Sequence, residues 1–195
     1  MSTQPKHYIP PEEYLQRERK AEYKSEYHGG EVFAMAGAGR NHVRISVNMV
    51  RLLDAALGPG CEVMNGDMRV RVAATGLYTY PDASVVCGDA QFADEDVDVL
   101  LNPALLVEVL SPSTEAYDRG LKFQSYRTIA SLKTYVLIAA DRVGVDVFTF
   151  DDGRWTLDST SDPGGTLQLR AFNASLAVRD IYARTGLVPE PGATI

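Results

Sequence analysis

Three residues in the middle of the chain carry chemistry by type and spacing. They are Asp82 in Pro81-Asp82, Glu108 inside the apolar stretch Leu105-Leu106-Val107-Glu108-Val109-Leu110, and Lys122 on the amphipathic segment that follows. Strand periodicity puts Leu106, Glu108 and Leu110 on one face and Val107 and Val109 on the other, and a run this apolar reads as buried on both. A bare carboxylate there is costly, so Glu108 calls for a cation or metal partner, a proton, or a strand end open to water. An ion pair with Arg69 or Arg71 is the plainest of these solutions. Asp82 alone is weak evidence, because Pro-Asp is a common turn dipeptide. Two neighbouring strands that each offer an acid near the same end, however, supply the hard oxygen ligands that Mg2+ or Mn2+ prefers. Lys122 follows Asp118 by four residues and precedes Tyr126 by four, so on a helix the three share a face. With the acids nearby it could hold a water or neutralise a phosphoryl oxygen; otherwise it is one half of a solvated ion pair.

The elements that must position these groups are legible in outline. Pro10 to about Lys20 predicts a short helix with proline and acids in its first turn. Lys24-Ser25-Glu26-Tyr27 and Glu31-Val32-Phe33-Ala34-Met35 predict a hairpin around Gly29-Gly30. From Asn41 to Leu57, the spacing of Ile45, Met49, Leu52, Leu53 and Ala56 predicts a helix stopped by Gly58-Pro59-Gly60. Met68, Val70 and Val72 alternate with Arg69 and Arg71, as in a half-buried strand with a basic outer face. Asp82 to Cys87 and Ala104 to Leu110 predict two more strands, separated by an acidic loop from Gly88 to Asp98. A helix is expected from about Glu115 to Ala130. Thr134 to Ala140, Val145 to Phe150 and Trp155 to Leu157 then read as a meander. Together these give one domain, with a core of about residues 10–182 and a peripheral tail over 183–195. The class is α/β (α+β): a mixed central sheet flanked by helices, with an added N-terminal helix and hairpin and a C-terminal meander.

Composition narrows the classes. The chain has 195 residues and a formal net charge of -7, which argues against nonspecific coating of nucleic acid but leaves a locally basic site open. No stretch has signal-peptide or bilayer-spanning character, so a cytoplasmic location without membrane contact is expected. Cys61 and Cys87 lack zinc-site spacing and are expected as two thiols in a reducing compartment. His42, near a helix start, is expected to pack or cap more often than to act as a general base, and the same holds for His7 and His28. No histidine pair has zinc spacing, and Gly37-Ala38-Gly39-Arg40 matches no nucleotide-binding fingerprint, so no organic cofactor is expected.

Longer motifs carry a resemblance. Glu26-Tyr27-His28-Gly29-Gly30-Glu31, Gly37-Ala38-Gly39-Arg40-Asn41-His42, Tyr80-Pro81-Asp82, and Val107-Glu108-Val109-Leu110-Ser111-Pro112-Ser113-Thr114 with Tyr117-Asp118-Arg119-Gly120-Leu121-Lys122 and Tyr126-Arg127 resemble the Uma-type putative restriction endonuclease family of the PD-(D/E)XK nuclease superfamily. The resemblance runs from about Pro10 to Tyr182. It implies a restriction-endonuclease-like fold and a Mg2+- or Mn2+-dependent endonuclease acting on DNA, with Asp82 and Glu108 as metal ligands assisted by the main-chain carbonyl of Val109. Where the superfamily motif has lysine two residues after the acid, this chain has Leu110, and Lys122 is the implied substitute. Glu26 or Glu31 would supply a further acid, with Glu26 favoured because Glu31 follows the glycine turn. Arg40, Arg44, Arg69 and Arg71 are candidates for DNA-backbone contacts, and double-strand cutting would call for a homodimer. The competing class is a nuclease fold without catalysis, serving as a nucleic-acid-binding or protein-interaction module. A third, a small-molecule metal hydrolase, predicts a deep pocket instead of an open groove.

Overall fold

The computed structural model describes residues 8–189. A short helix α1 (Pro11–Glu18) leads into a hairpin of β1 (Ser25–His28) and β2 (Glu31–Ala34). The hairpin closes on Gly29 and Gly30, whose φ values of 59° and 93° suit a two-residue loop that only glycine adopts cheaply. Helix α2 (Arg40–Leu57) follows, then β3 (Cys61–Asn65), β4 (Arg69–Val72), β5 (Leu77–Thr79), β6 (Ala83–Cys87), β7 (Val99–Leu100) and β8 (Leu105–Leu110).

The helix expected over residues 115–130 is shorter and differently wound. It consists of α3 (Glu115–Tyr117), a π-helical turn (Asp118–Lys122) and α4 (Phe123–Tyr126), with Gly120 inside the turn. The meander forms as β9 (Thr134–Ala139), β10 (Val145–Asp151) and a longer β11 (Arg154–Thr160). Beyond it lie β12 (Thr166–Leu169), β13 (Ala174–Ala177) and α5 (Val178–Ile181), a small hairpin and helix that the sequence pattern did not reveal.

The strands divide into a six-stranded sheet ordered β11-β10-β9-β8-β6-β3, a five-stranded sheet ordered β2-β1-β5-β4-β7, and the β12-β13 pair. In the large sheet only β8 and β9 run parallel; the others pair antiparallel. One face of it packs Leu105, Val107 and Val109 against Ile45, Met49 and Leu53 of α2 and against the β12-β13 and α5 region. The opposite face packs Leu106 and Leu110 with Phe123, Tyr126 and Tyr135 and with Val70, Val72 and Leu77 of the second sheet. Period-2 alternation therefore sends Glu108 into the layer between the two sheets.

Three expectations change here. The segment after Tyr182 is not peripheral as far as it is described: Val188 is buried with the core, and the carbonyl of Ala183 accepts from Asn48 of α2. The basic face of β4 is only partly solvated, because Arg69 is buried with the valines beside it while Arg71 is half-buried. Cys61 and Cys87 are joined in a disulfide rather than left as thiols, since the antiparallel β3–β6 register sets them directly opposite each other. His7 and residues 190–195 lie outside the described residues. Among the described residues, no helix is long and apolar enough to cross a membrane.

Candidate active site

The β6–β8 pairing ends at Ala83 opposite Val107, and continuing that register sets Asp82 across from Glu108. Beyond the last strand pair, the Val109 amide donates to Asp82 Oδ2 at 2.8 Å. The other carboxylate oxygen, Oδ1, lies 2.6 Å from His42 Nε2 and accepts from Ser46 Oγ at 3.0 Å. His42 and Ser46 stand four residues apart on α2, so one helix face presents both to the aspartate.

Glu108 is 4% exposed and Lys122 is 5% exposed. The lysine's Nζ lies 3.0 Å from Glu108 Oε1, 2.9 Å from Glu26 Oε1 and 3.4 Å from Asp118 Oδ1. The three N–H donors of an ammonium are thus met by carboxylates from three elements: β8, the β1 hairpin strand and the lysine's own turn. Tyr126 donates its hydroxyl to Glu108 Oε1 at 2.7 Å, and Thr79 of β5 donates to Glu26 Oε1. Tyr135 donates to the main-chain carbonyl of Asp118 at 3.1 Å, tying the π-helical turn to β9.

The electrostatics follow from this crowding. Burial pushes Glu108 well above the ordinary carboxylate range; Lys122 pulls the other way, and Asp118, Asp82 and Glu26 add to the rise. Asp118 is pushed up by burial as well. Burial alone would lower Lys122, but Glu108, Glu26 and Asp118 together hold its ammonium well above its usual value. Fully ionised, three carboxylates around one ammonium leave two surplus negative charges, a set that protons or a cation must offset.

Of the residues expected from sequence, Asp82, Glu108, Lys122 and Glu26 come together. Glu26, not Glu31, contacts the lysine. Glu108 takes Lys122 as its cation, where Arg69 or Arg71 had been the plainest expectation. Arg69 cannot serve as a DNA contact: it is 4% exposed, bonded to Tyr80 at 2.6 Å and to Asp98 at 3.2 Å, and burying it fixes the Tyr80-Pro81-Asp82 segment instead. Arg71 lies over the Tyr78 ring at 5.6 Å. Arg40 donates to the Arg184 carbonyl at 3.1 Å. At about 100° per residue, Arg40 and Arg44 lie roughly half a turn around α2 from His42. His42, expected to pack or cap, instead meets Asp82 at the site. Ser46, Thr79 and the Val109 amide also belong to it without having been singled out; Ser46 was visible as the residue four after His42, whereas nothing in the sequence marks Thr79. Among the described residues, no group of three or more His, Cys, Asp or Glu side chains is arranged to hold a metal ion by itself.

The mixed α+β architecture is restriction-endonuclease-like. The chain belongs to the Uma2 family, described as putative restriction endonucleases, whose model matches residues 11–179. Uncharacterized protein slr1290 of Synechocystis sp. is 39% identical over 176 residues, spanning 89% of this chain and 91% of that protein. Uncharacterized protein sll1609 of the same organism is 42% identical over 127 residues, spanning 65% and 72%. The crystal structure of a putative nuclease belonging to DUF820 from Anabaena variabilis matches with a TM-score of 0.73 at 19% identity, covering 90% of this chain and 98% of that one, a likeness of fold.

Proposed function

We propose that this chain is a Mg2+- or Mn2+-dependent endonuclease that hydrolyses DNA phosphodiester bonds. The observation that carries the reading is the meeting of Lys122 with Glu108 at the strand end where Asp82 sits. The donor set fits a hard divalent cation: the carboxyls are oxygen ligands in negative surplus, and Tyr126 and Lys122 both engage Glu108 Oε1, leaving Oε2 without a hydrogen bond among the described residues. Asp82, Glu108 and the Val109 carbonyl would hold the ion, with water and substrate oxygens completing its shell. Such an ion, when bound, acidifies water and offsets negative charge developing on the phosphoryl group.

The chain's own side chains have separable tasks in this reading. Lys122 would exchange one of its three carboxylate contacts for the attacking water or the scissile phosphate, with the remaining carboxylates holding its ammonium in place. His42 and Ser46 fix the Asp82 carboxylate. Arg40, Arg44 and Arg71 are the remaining candidates for backbone contacts, which position a duplex without reading its sequence. Cutting both strands calls for two sites, hence a homodimer. A cytoplasmic setting is part of this reading, and there the Cys61–Cys87 bond would meet thiol reductants.

The test is incubation of the purified protein with supercoiled, linear and single-stranded DNA plus Mg2+ or Mn2+. Cleavage lost in Asp82→Ala and Glu108→Ala is the expected result; equal activity in those variants sinks the reading. A nuclease fold retained only for binding is the second reading, favoured by one feature: both Asp82 oxygens and the Lys122 ammonium are already taken by the chain's own groups. It predicts DNA retention without cleavage in the same assay.

A further inference from the structure

We infer that Tyr126 is a positioning residue that decides which oxygen of Glu108 is offered to a divalent cation. The inference rests on the metal-dependent reading above and goes beyond it, because Tyr126 touches neither substrate nor ion in that scheme. Its hydroxyl donates to Glu108 Oε1 at 2.7 Å, the same oxygen that Lys122 approaches at 3.0 Å. Two donors on one oxygen fix the rotation of the carboxylate and leave Oε2 as the free lone-pair donor, the form a hard cation requires.

The tyrosine itself is held rigidly. It is fully buried, and its ring meets the Tyr135 ring edge-on with centroids 5.3 Å apart. Tyr135 in turn donates to the carbonyl of Asp118, the residue that opens the π-helical turn carrying Lys122. One aromatic pair therefore sets both the rotation of Glu108 and the backbone from which the lysine projects. Metal ligands oriented in this way by an outer hydrogen bond lose affinity when that bond is removed, typically by about 10-fold or more.

Calorimetric titration of the DNA-free protein with Mn2+ tests this. Tyr126→Phe keeps the ring and deletes one hydroxyl, and is expected to weaken Mn2+ binding about tenfold. Tyr182→Phe removes another buried hydroxyl, one bonded to the Ala139 carbonyl at 3.1 Å, and is expected to bind Mn2+ as the wild type does. In a Glu108→Gln background, adding Tyr126→Phe is expected to change nothing further, because the tyrosine acts through the carboxylate. Wild-type affinity in Tyr126→Phe, or the same loss when it is added to Glu108→Gln, overturns the assignment while Asp82→Ala still abolishes binding. Equal titrations for the wild type and Asp82→Ala overturn the metal-dependent reading and this inference with it. Thermal melting without metal accompanies each variant; a loss in Tyr126→Phe that its melting temperature explains equally for Tyr182→Phe also counts against the positioning role.

Discussion

At the scale of single residues, Lys122 is the group on which the site turns. Its ammonium is the one cation, among the described residues, that meets Glu26, Glu108 and Asp118 together. Removing it leaves buried carboxylates facing each other, and breaking a buried pair in that way costs about 3–5 kcal/mol. Lys122→Ala is therefore expected to lose about that much stability in denaturant unfolding, and to recover part of it when Mn2+ is added. Recovery is specific to a divalent ion; potassium at the same ionic strength is expected to give none. Lys122→Arg is expected to restore neither stability nor cleavage, since a larger planar guanidinium does not fit the buried space that closes around a compact ammonium. Glu108 was legible from its setting in apolar sequence, while Asp82, Glu26 and Lys122 were singled out with the help of the longer motifs that carry the resemblance. The three-way clamp was not legible, because Glu26 lies far from Lys122 in the chain and only the closing of the β1–β2 hairpin over β5 brings it there.

Among the elements, one tie anchors the strand that begins after Asp82 and another anchors the acidic loop. The first is the Cys61–Cys87 disulfide, which staples edge strand β3 to the far end of β6. It closes a 26-residue separation, for which chain entropy gives roughly 3.5 kcal/mol. Reduction is expected to lower the unfolding free energy by about that amount, while a Cys61→Ser, Cys87→Ser double variant is expected to be insensitive to reductant. The second tie joins α1 to the acidic loop. Arg19 binds Asp98 at 2.8 Å and Asp94 at 2.7 Å, and its hydrogen bond to Asp98 holds that carboxyl below its ordinary 3.8. A depressed folded-state value contributes stability that is present above pH 3.8 and lost as pH falls through the folded value. Melting temperature followed from pH 6 to pH 2.5 is expected to fall less steeply in Arg19→Ala than in the wild type on the acid side of 3.8. Nothing within the acidic segment itself marks this pairing; Asp94, Asp96 and Asp98 read as a solvated run until α1 packs beside them.

For the whole molecule, the two sheets matter more than either alone. Glu108 looks into the layer between them, and the five-stranded sheet supplies Glu26 and Thr79 to that layer. A homodimer is the assembly that double-strand cleavage calls for, and light scattering is expected to give twice the 21.3 kDa chain mass. A monomer is expected instead to nick supercoiled plasmid without producing the linear form, so the ratio of open-circle to linear product reads the assembly directly. With a net charge of -7 and only a few local arginines to meet phosphates, DNA retention is expected to weaken gently with added salt, with a log–log slope set by those few contacts.

Sequence alone determined the amphipathic helix α2, the glycine-closed hairpin, the buried strand around Glu108 and the meander, and it singled out Asp82, Glu108 and Lys122 as candidates. The elements and Glu108 are written in local periodicity or in a burial that would otherwise be unexplained, whereas Asp82 and Lys122 gained their weight from the longer motifs that carry the family resemblance. Only the tertiary structure decided that Arg69 is sequestered by Tyr80 and Asp98, that His42 and Ser46 close on Asp82, that Cys61 faces Cys87, and that the segment after Tyr182 packs into the core. Those facts depend on which distant strand or helix lies alongside. A carboxylate's need for a partner is visible in a single segment; which partner satisfies it is settled by strand register and by the packing of two sheets.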